Sequence, residues 1–475
     1  MNSSAPFAAY HPEILLAAVG AFIVLIERVF IRHREAGLRH AVGAFATVAA
    51  CAGAAWLDSS PVSVTVLALT AVAALLGLER EPMHHAGEYH FLLLVATVGL
   101  LLIGKADTLL LAFLGLETAS LSTAVLIAFD KPRANSSEAG LKYFLLASVA
   151  AACLLYGFSL LYGLTGTTHV PQMAQKLFAI GADPLVTVAL VMVVIGFGFK
   201  IAAVPFHLWA PDAYQGAPLP CAAFIASGSK VASFYVFAKV MLLGFSQLGW
   251  GNEESATGGW IPLLSIIAAV SMVLGNLAAI HQTSVRRLLA YSAIAHAGYM
   301  LIGFLALGGD AFGSLLFYVT TYALTTVGAF GVLGVVEAQA GGDQLKDFAG
   351  LARRAPVLAW CLMVFLLSLA GIPPLAGFFG KFYLFAAALT NEAQSLPFLW
   401  LVILGIAMSC VSLYYYLQVL KQVFVVEADA EARPLAVPFL VHAVVVLLAA
   451  TVVLLGCVPG WLLDTLHAAI TEQGW

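Results

Sequence analysis

Residues 196–220, GFGFKIAAVPFHLWAPDAYQGAPLP, set Lys200, Pro205 and His207 inside or beside an apolar run that begins at Pro184. An ionisable side chain in a bilayer costs roughly 2.5–3.5 kcal/mol on insertion scales, and such residues mark ion or proton pathways. Lys200 is therefore a candidate functional group. Pro205 cannot donate a backbone hydrogen bond and clashes with the preceding turn, so the helix is expected to kink or break beside the lysine.

The rest of the chain fits a membrane setting. Of 475 residues, 62% are hydrophobic and 10% charged, and the mean hydropathy is +0.98. These values lie far outside the range of soluble domains. A net charge of -4 and the lack of a basic tract argue against nucleic acid as a partner. The six cysteines stand singly, with no C-x-x-C pair, and there is no G-x-G-x-x-G or Walker motif. No metal, iron–sulfur cluster or nucleotide is expected on this chain. The first apolar run lacks a signal-peptide pattern and reads as a retained span.

Apolar segments near 13–32, 39–57, 61–80, 89–104, 107–129, 137–163, 183–205, 219–244, 260–282, 287–308, 311–338, 356–389, 396–424 and 434–457 predict an all-α polytopic membrane protein with about fourteen transmembrane helices. Helices seven and twelve are expected to be broken, by Pro205 and by Pro373 and Pro374. With the N-terminus outside, fourteen basic residues, including Arg28, Arg80, Lys131, Arg133, Arg286, Arg287 and Arg433, fall at the cytoplasmic side, and only Lys105 and Lys176 fall outside. Both termini are then extracytoplasmic. LLAFLGLE at 110–117 resembles LLAYSAIA at 288–295, five spans later, which suggests two inverted five-helix repeats. The expected organisation is an N-terminal three-helix segment (1–88), a first repeat (89–244), a second repeat (260–424), and a C-terminal helix and tail (434–475).

Four buried charges stand out. Glu117 and Lys230 fall near mid-span, Lys200 toward the cytoplasmic end of its span, and Lys381 in the outer half of the long twelfth span. A helix-packing ion pair is the plainer reading for Glu117, and snorkelling to the interface for Lys200. Their staggered depths nevertheless suit proton relay, in which each hop needs a partner or water within reach. Lys142, His207 and His296 are further relay candidates. Snorkelling competes for the first and simple packing for the histidines, and His296 falls one position from the repeat image of Glu117. Glu27, Glu79 and Glu337 flank span ends and are expected to be solvated.

KIAAVPFHLWAPDAYQGAPLPCAAFIASGSKVASF, with FLGLETASLS, EAGLKYFLLAS, RRLLAYSAIAHAGYMLIG and GIPPLAGFFGKFYLF, resembles the subunit N family of bacterial NADH-quinone oxidoreductase, respiratory complex I, over about residues 90–425. Related antiporter-like subunits usually continue the lysine–proline–histidine segment with an LPDAH-type sequence, whereas this chain has APDAYQGAP. The resemblance implies a non-redox, proton-translocating subunit of the bacterial inner membrane. In it, Glu117, Lys200, Lys230 and Lys381 form a hydrophilic axis driven by electron transfer elsewhere. NADH, FMN, iron–sulfur clusters and quinone would belong to other subunits, and the partners would be subunit M, small membrane subunits and lipids. A stand-alone or Mrp-type cation/proton antiporter is the alternative, and a purely structural membrane subunit is a third reading.

Overall fold

Prolines and short polar side chains start many of the helices. Pro12, Pro61, Pro171, Pro184 and Pro356 occupy first-turn positions, where a missing N–H costs nothing. Thr108, Asp183 and Ser284 cap helix N-termini, accepting from the N–H groups of Leu111, Leu185 and Arg287 at 3.2, 2.7 and 3.2 Å.

The computed structural model describes residues 9–79, 85–181, 183–245, 248, 259–306, 309–389, 397–428 and 434–472. Arg80 and Arg433 lie outside the described residues, as does the side chain of Glu79. The chain runs through α1 (His11–Ile31), α2 (Ala36–Leu57), α3 (Pro61–Leu76), α4 (Ala86–Gly104), α5 (Leu109–Ile127) and α6 (Ala134–Thr165). It continues through α7 (Val170–Ile180), α8 (Pro184–Ile201), α9 (Trp209–Gly216), α10 (Leu219–Gly244), α11 (Trp260–Ile280) and α12 (Val285–Leu305). The last six are α13 (Gly309–Ala340), α14 (Pro356–Ala370), α15 (Ala376–Leu389), α16 (Leu399–Phe424), α17 (Phe439–Cys457) and α18 (Pro459–Glu472). Twelve described helices are long and apolar enough to cross a membrane, with α3, α14 and α15 shorter. Counting α14 and α15 as halves of one crossing gives the expected fourteen.

Backbone geometry reveals the internal repeat. Thr108 bridges His169, and Ser284 bridges Gln344. Gly99 lets α4 close on Gly115 and Ala119 of α5, and Gly275 lets α11 close on Tyr291 and Ala295 of α12. A Cβ on Gly99 or Gly275 would sit 2.5 or 2.6 Å from the backbone nitrogen of Ala119 or Ala295, the close approach that small residues permit between membrane helices. The long helices α6 and α13 both have 32 residues. Gly99, Thr108, Gly115 and Ala119 each lie 176 residues before Gly275, Ser284, Tyr291 and Ala295, which corrects the register suggested by LLAFLGLE and LLAYSAIA. The counterpart of Glu117 is Ala293, and His296 corresponds to Ser120.

The breaks share a backbone pattern too. At the end of α8 the Ala203 N–H bonds Gly198 O at 2.9 Å and the Ala202 N–H bonds Phe199 O at 3.1 Å. At the end of α14, Ile372 bonds Leu367 O and Gly371 bonds Ser368 O, both at 3.0 Å. Ala202 (φ 58°) and Gly371 (φ 88°) are both left-handed, so each helix ends in a Schellman turn. The helices thus stop before Pro205, Pro373 and Pro374, since a residue preceding proline is already pushed out of the α region. A further break that proline placement did not signal occurs in α10, where Ser227 has φ -119° and ψ -86°.

Helix α10 is wholly enclosed, and 94% and 89% of the apolar windows of α12 and α13 are buried, against 22% for α1 and 33% for α6 and α16. The centre of the molecule is therefore α10, α12 and α13, which carry Lys230 and His296.

Candidate functional site

Lys230 is 2% exposed in the enclosed helix α10. Its ammonium donates to Ala293 O of α12 at 2.6 Å and stands 5.2 Å from the centre of the Tyr322 ring. Tyr322 packs on His296, with ring centres 5.0 Å apart. His296 is hydrogen-bonded through Nδ1 to the Tyr318 hydroxyl at 2.7 Å and through Nε2 to the Tyr416 hydroxyl at 3.3 Å. Tyr416 also bonds Ser292.

On the other side of His296, Tyr299 meets its ring edge-on at 5.5 Å and lies 4.9 Å beneath the Lys381 ammonium. Asn276 donates to the Tyr299 hydroxyl at 3.0 Å and accepts from Tyr415 at 3.1 Å. Lys381, 5% exposed, donates to Leu369 O, Ala370 O and Ser409 Oγ at 3.0, 3.1 and 2.7 Å. Two of these acceptors are carbonyls freed at the C-terminus of α14, where the helix dipole favours a cation.

This contact explains why the lysine precedes the break in one repeat and follows it in the other. The Schellman turns align Lys200 with Leu369, so Lys381 reaches back across Gly371 to the backbone site that corresponds to Lys200.

A second polar group lies in the first repeat. The Lys200 ammonium donates to the Tyr143 hydroxyl at 3.3 Å and interacts electrostatically with Glu117 of α5. Tyr143 and Tyr318 occupy the same, tenth, position of α6 and α13. Each repeat thus presents an equivalent tyrosine, to Lys200 in one and to His296 in the other. Among the described residues no hydrogen bond or ring contact joins Lys200 directly to Lys230. The structure brings Lys230, His296 and Lys381 into one tyrosine-lined cluster and Lys200 with Tyr143 into another; Glu117 and Lys200, expected to be buried, are only partly so, and among the described residues no hydrogen bond or ion pair joins them.

His207 is 7% exposed, in the turn between α8 and α9, and its Nδ1 has no hydrogen-bond partner among the described residues. Lys142 is half exposed and pairs with Glu138 at 2.7 Å and Asp212 at 2.8 Å. Asp212 also binds Arg287 at 2.8 Å. Burial alone would raise the Asp212 carboxyl, but hydrogen bonds from Lys142 and Arg287 outweigh it and hold the group below its usual range.

Two acids expected to be solvated are engaged in the fold. Glu27 is 6% exposed and accepts from Arg39 at 3.1 Å and from the Gly87 N–H. Glu337 pairs with the buried Arg286 and, at 3.6 Å, with Arg133. Span-end position conceals this, because helices that converge there bury what would otherwise face water. The tyrosines around His296 are part of the site as well. The signal for Tyr318 and Tyr322 is FYVTTYALTT, where hydroxyl-bearing side chains in an apolar helix require partners.

A model described as "NADH:quinone oxidoreductase/Mrp antiporter, TM" matches residues 106–410, most of the chain. The NADH-quinone oxidoreductase subunit N 2 of Acidobacterium capsulatum is 54% identical over 385 residues, 81% of this chain and 77% of that one. The chain belongs to the subunit N family of NADH-quinone oxidoreductases. Its family places it in an oxidoreductase complex, and its many apolar helices fit a multi-pass membrane protein. A chain of respiratory complex I from Thermus thermophilus is 34% identical with a TM-score of 0.76, covering 96% of this chain and 99% of that one. A chain of the Mrp complex from Dietzia has a TM-score of 0.80 over 98% and 97% of the two chains, but at 20% identity it shares the fold alone.

Proposed function

We propose that this chain moves protons across the bacterial inner membrane, powered by electron transfer to quinone in other subunits of the complex. The observation that carries the reading is the placement of His296 between Lys230 and Lys381, with Tyr322 and Tyr299 as intervening rings. A neutral imidazole can accept a proton at one nitrogen and release it at the other, so His296 suits a relay between two amines. Glu117 and Lys200 form the first station, and water completes the path from there to Lys230. His207 stands at the entrance, and Lys142 is assigned to the surrounding ion pairs.

In this reading Lys131, Arg133, Arg286 and Arg287 mark the cytoplasmic side and both termini are periplasmic. The two lysines that fall outside are held by local partners, which supports the orientation. Lys105 pairs with Glu13 at 2.9 Å and Asp58 at 3.4 Å, and Lys176 donates to Thr165 O at 2.6 Å. The chain carries no redox group in this scheme; its partners are subunit M, small membrane subunits and lipid.

The test is proton pumping by the purified complex in liposomes. Glu117→Gln, Lys200→Ala and Lys230→Ala each assemble and oxidise NADH but pump fewer protons per electron. Wild-type pumping by all three variants overturns the proposal. Moving one charge against 100 mV costs about 2.3 kcal/mol, so one missing station stalls transport without unfolding the protein.

A further inference from the structure

The short helix α9 lies between the Schellman turn at Ala202 and the extended residue Ala217 that leads into α10. It is tied to its surroundings on three sides. Its Trp209 indole donates to Phe199 O at 2.9 Å, the carbonyl just before Lys200. The same indole meets the Tyr143 ring edge-on at 5.1 Å, and Tyr143 is the hydrogen-bond partner of Lys200. Lys142, the residue before Tyr143 on α6, pairs with Asp212 in the middle of α9.

The third side belongs to the other repeat. Arg286 of α12 donates to Ala217 O, Gln215 O and Tyr214 O at 2.8, 3.2 and 3.4 Å, capping the C-terminal carbonyls of α9 as a cation at that helix end should. Arg287 donates to Asp212 Oδ1 at 2.8 Å and to Gln215 Oε1 at 3.3 Å. Asp212 therefore divides its two oxygens between the repeats, Oδ2 to Lys142 of the first and Oδ1 to Arg287 of the second.

We propose that Asp212 is a positioning residue that latches α9 between the two repeats and so sets the place of Tyr143 and Lys200 relative to α12. This rests on the proton-relay reading above. Helix α12 carries Arg286 and Arg287 in its first turn and His296 three turns on. A shift of α12 that accompanies charge movement at His296 pulls on Asp212, and α9 transmits it through Trp209 and Tyr143 to Lys200. The latch gives the two polar clusters a mechanical link where no direct hydrogen bond joins them.

Both bonds to Asp212 are charge-assisted, and losing one changes the latched population by roughly tenfold or more. The experiment compares Asp212→Asn, Asp212→Glu and Lys230→Ala in the intact complex in liposomes, measuring NADH oxidation, protons pumped per electron and the pH profile of pumping. Asp212→Asn is expected to oxidise NADH normally, pump fewer protons per electron and show a displaced pH profile. Asp212→Glu, which keeps the charge, restores much of the loss. Arg287→Gln provides a second route to the same loss if Asp212→Asn does not assemble.

If Asp212→Asn and Arg287→Gln both pump at the wild-type ratio while Lys230→Ala does not, the latch is wrong and the relay stands. Failure of Asp212→Glu to restore any pumping, with assembly intact, also overturns the latch. Wild-type pumping by Lys230→Ala, together with Glu117→Gln and Lys200→Ala, instead removes the relay reading on which the latch depends.

Discussion

At Lys381 a single side chain completes the end of a helix. Leu369 O and Ala370 O have lost their helical partners because the chain reverses at Gly371, and the ammonium supplies the missing donors. Gly371 is left-handed at φ 88°, and a Cβ placed there would stand 3.2 Å from the Lys381 Cδ. Gly371→Ala therefore combines about 1–2 kcal/mol of backbone strain with pressure on the lysine. It is expected to lower the thermal midpoint of the complex. Ala202 holds the equivalent left-handed position with a side chain already in place, so Ala202→Gly moves stability the other way, by up to about 1 kcal/mol. Thermal unfolding of the two variants in the same detergent checks the opposite signs. Equal shifts would show that the two turns are not equivalent.

At the scale of elements, the N-terminal helices are fastened at one end by Asp58. It accepts from the Ser60 N–H at 3.1 Å and the Ser63 hydroxyl at 2.9 Å, and pairs with Lys105 beyond the end of α4 at 3.4 Å. Burial by itself would raise this carboxyl. The two serine hydrogen bonds and the Lys105 charge prevail, and the group sits below its usual range. Because the folded value is depressed, the stabilisation is fully present above the ordinary carboxylate value and is lost as pH falls through the folded one. Acidification below about pH 4 is expected to loosen α2 and α3 from α4. Amide hydrogen exchange over residues 53–65 at graded pH measures this, and Asp58→Asn should flatten the response. The same element-scale logic separates Glu27 and Glu337 from solvated acids, since α2 and α12 deliver Arg39 and Arg286 to them.

For the whole molecule, the proposed relay and a cation/proton antiporter differ in what sodium would do. The proposed relay passes protons between the amines of Lys230 and Lys381 and has no step that takes up sodium. Pumping by the reconstituted complex is therefore expected to be the same in sodium and in potassium media of equal ionic strength. Dependence on sodium, read with a pH-sensitive dye in liposomes, would favour the antiporter reading.

Much of this was legible in the sequence. Hydropathy gives the spans because a bilayer demands about twenty apolar residues per helix, and charged residues inside such runs are conspicuous because they are costly. Glu117, Lys200, Lys230 and Lys381 were visible for that reason alone. Partnership is another matter, since it depends on which helices meet and at what height. Only the folded chain could align Lys200 with Leu369, place His296 between two lysines through Tyr322 and Tyr299, and set Asp212 between Lys142 and Arg287. The physical reason is range: lipid solvation acts on each segment separately and is written locally, whereas hydrogen bonds reach about 3 Å and are settled only when distant segments have packed.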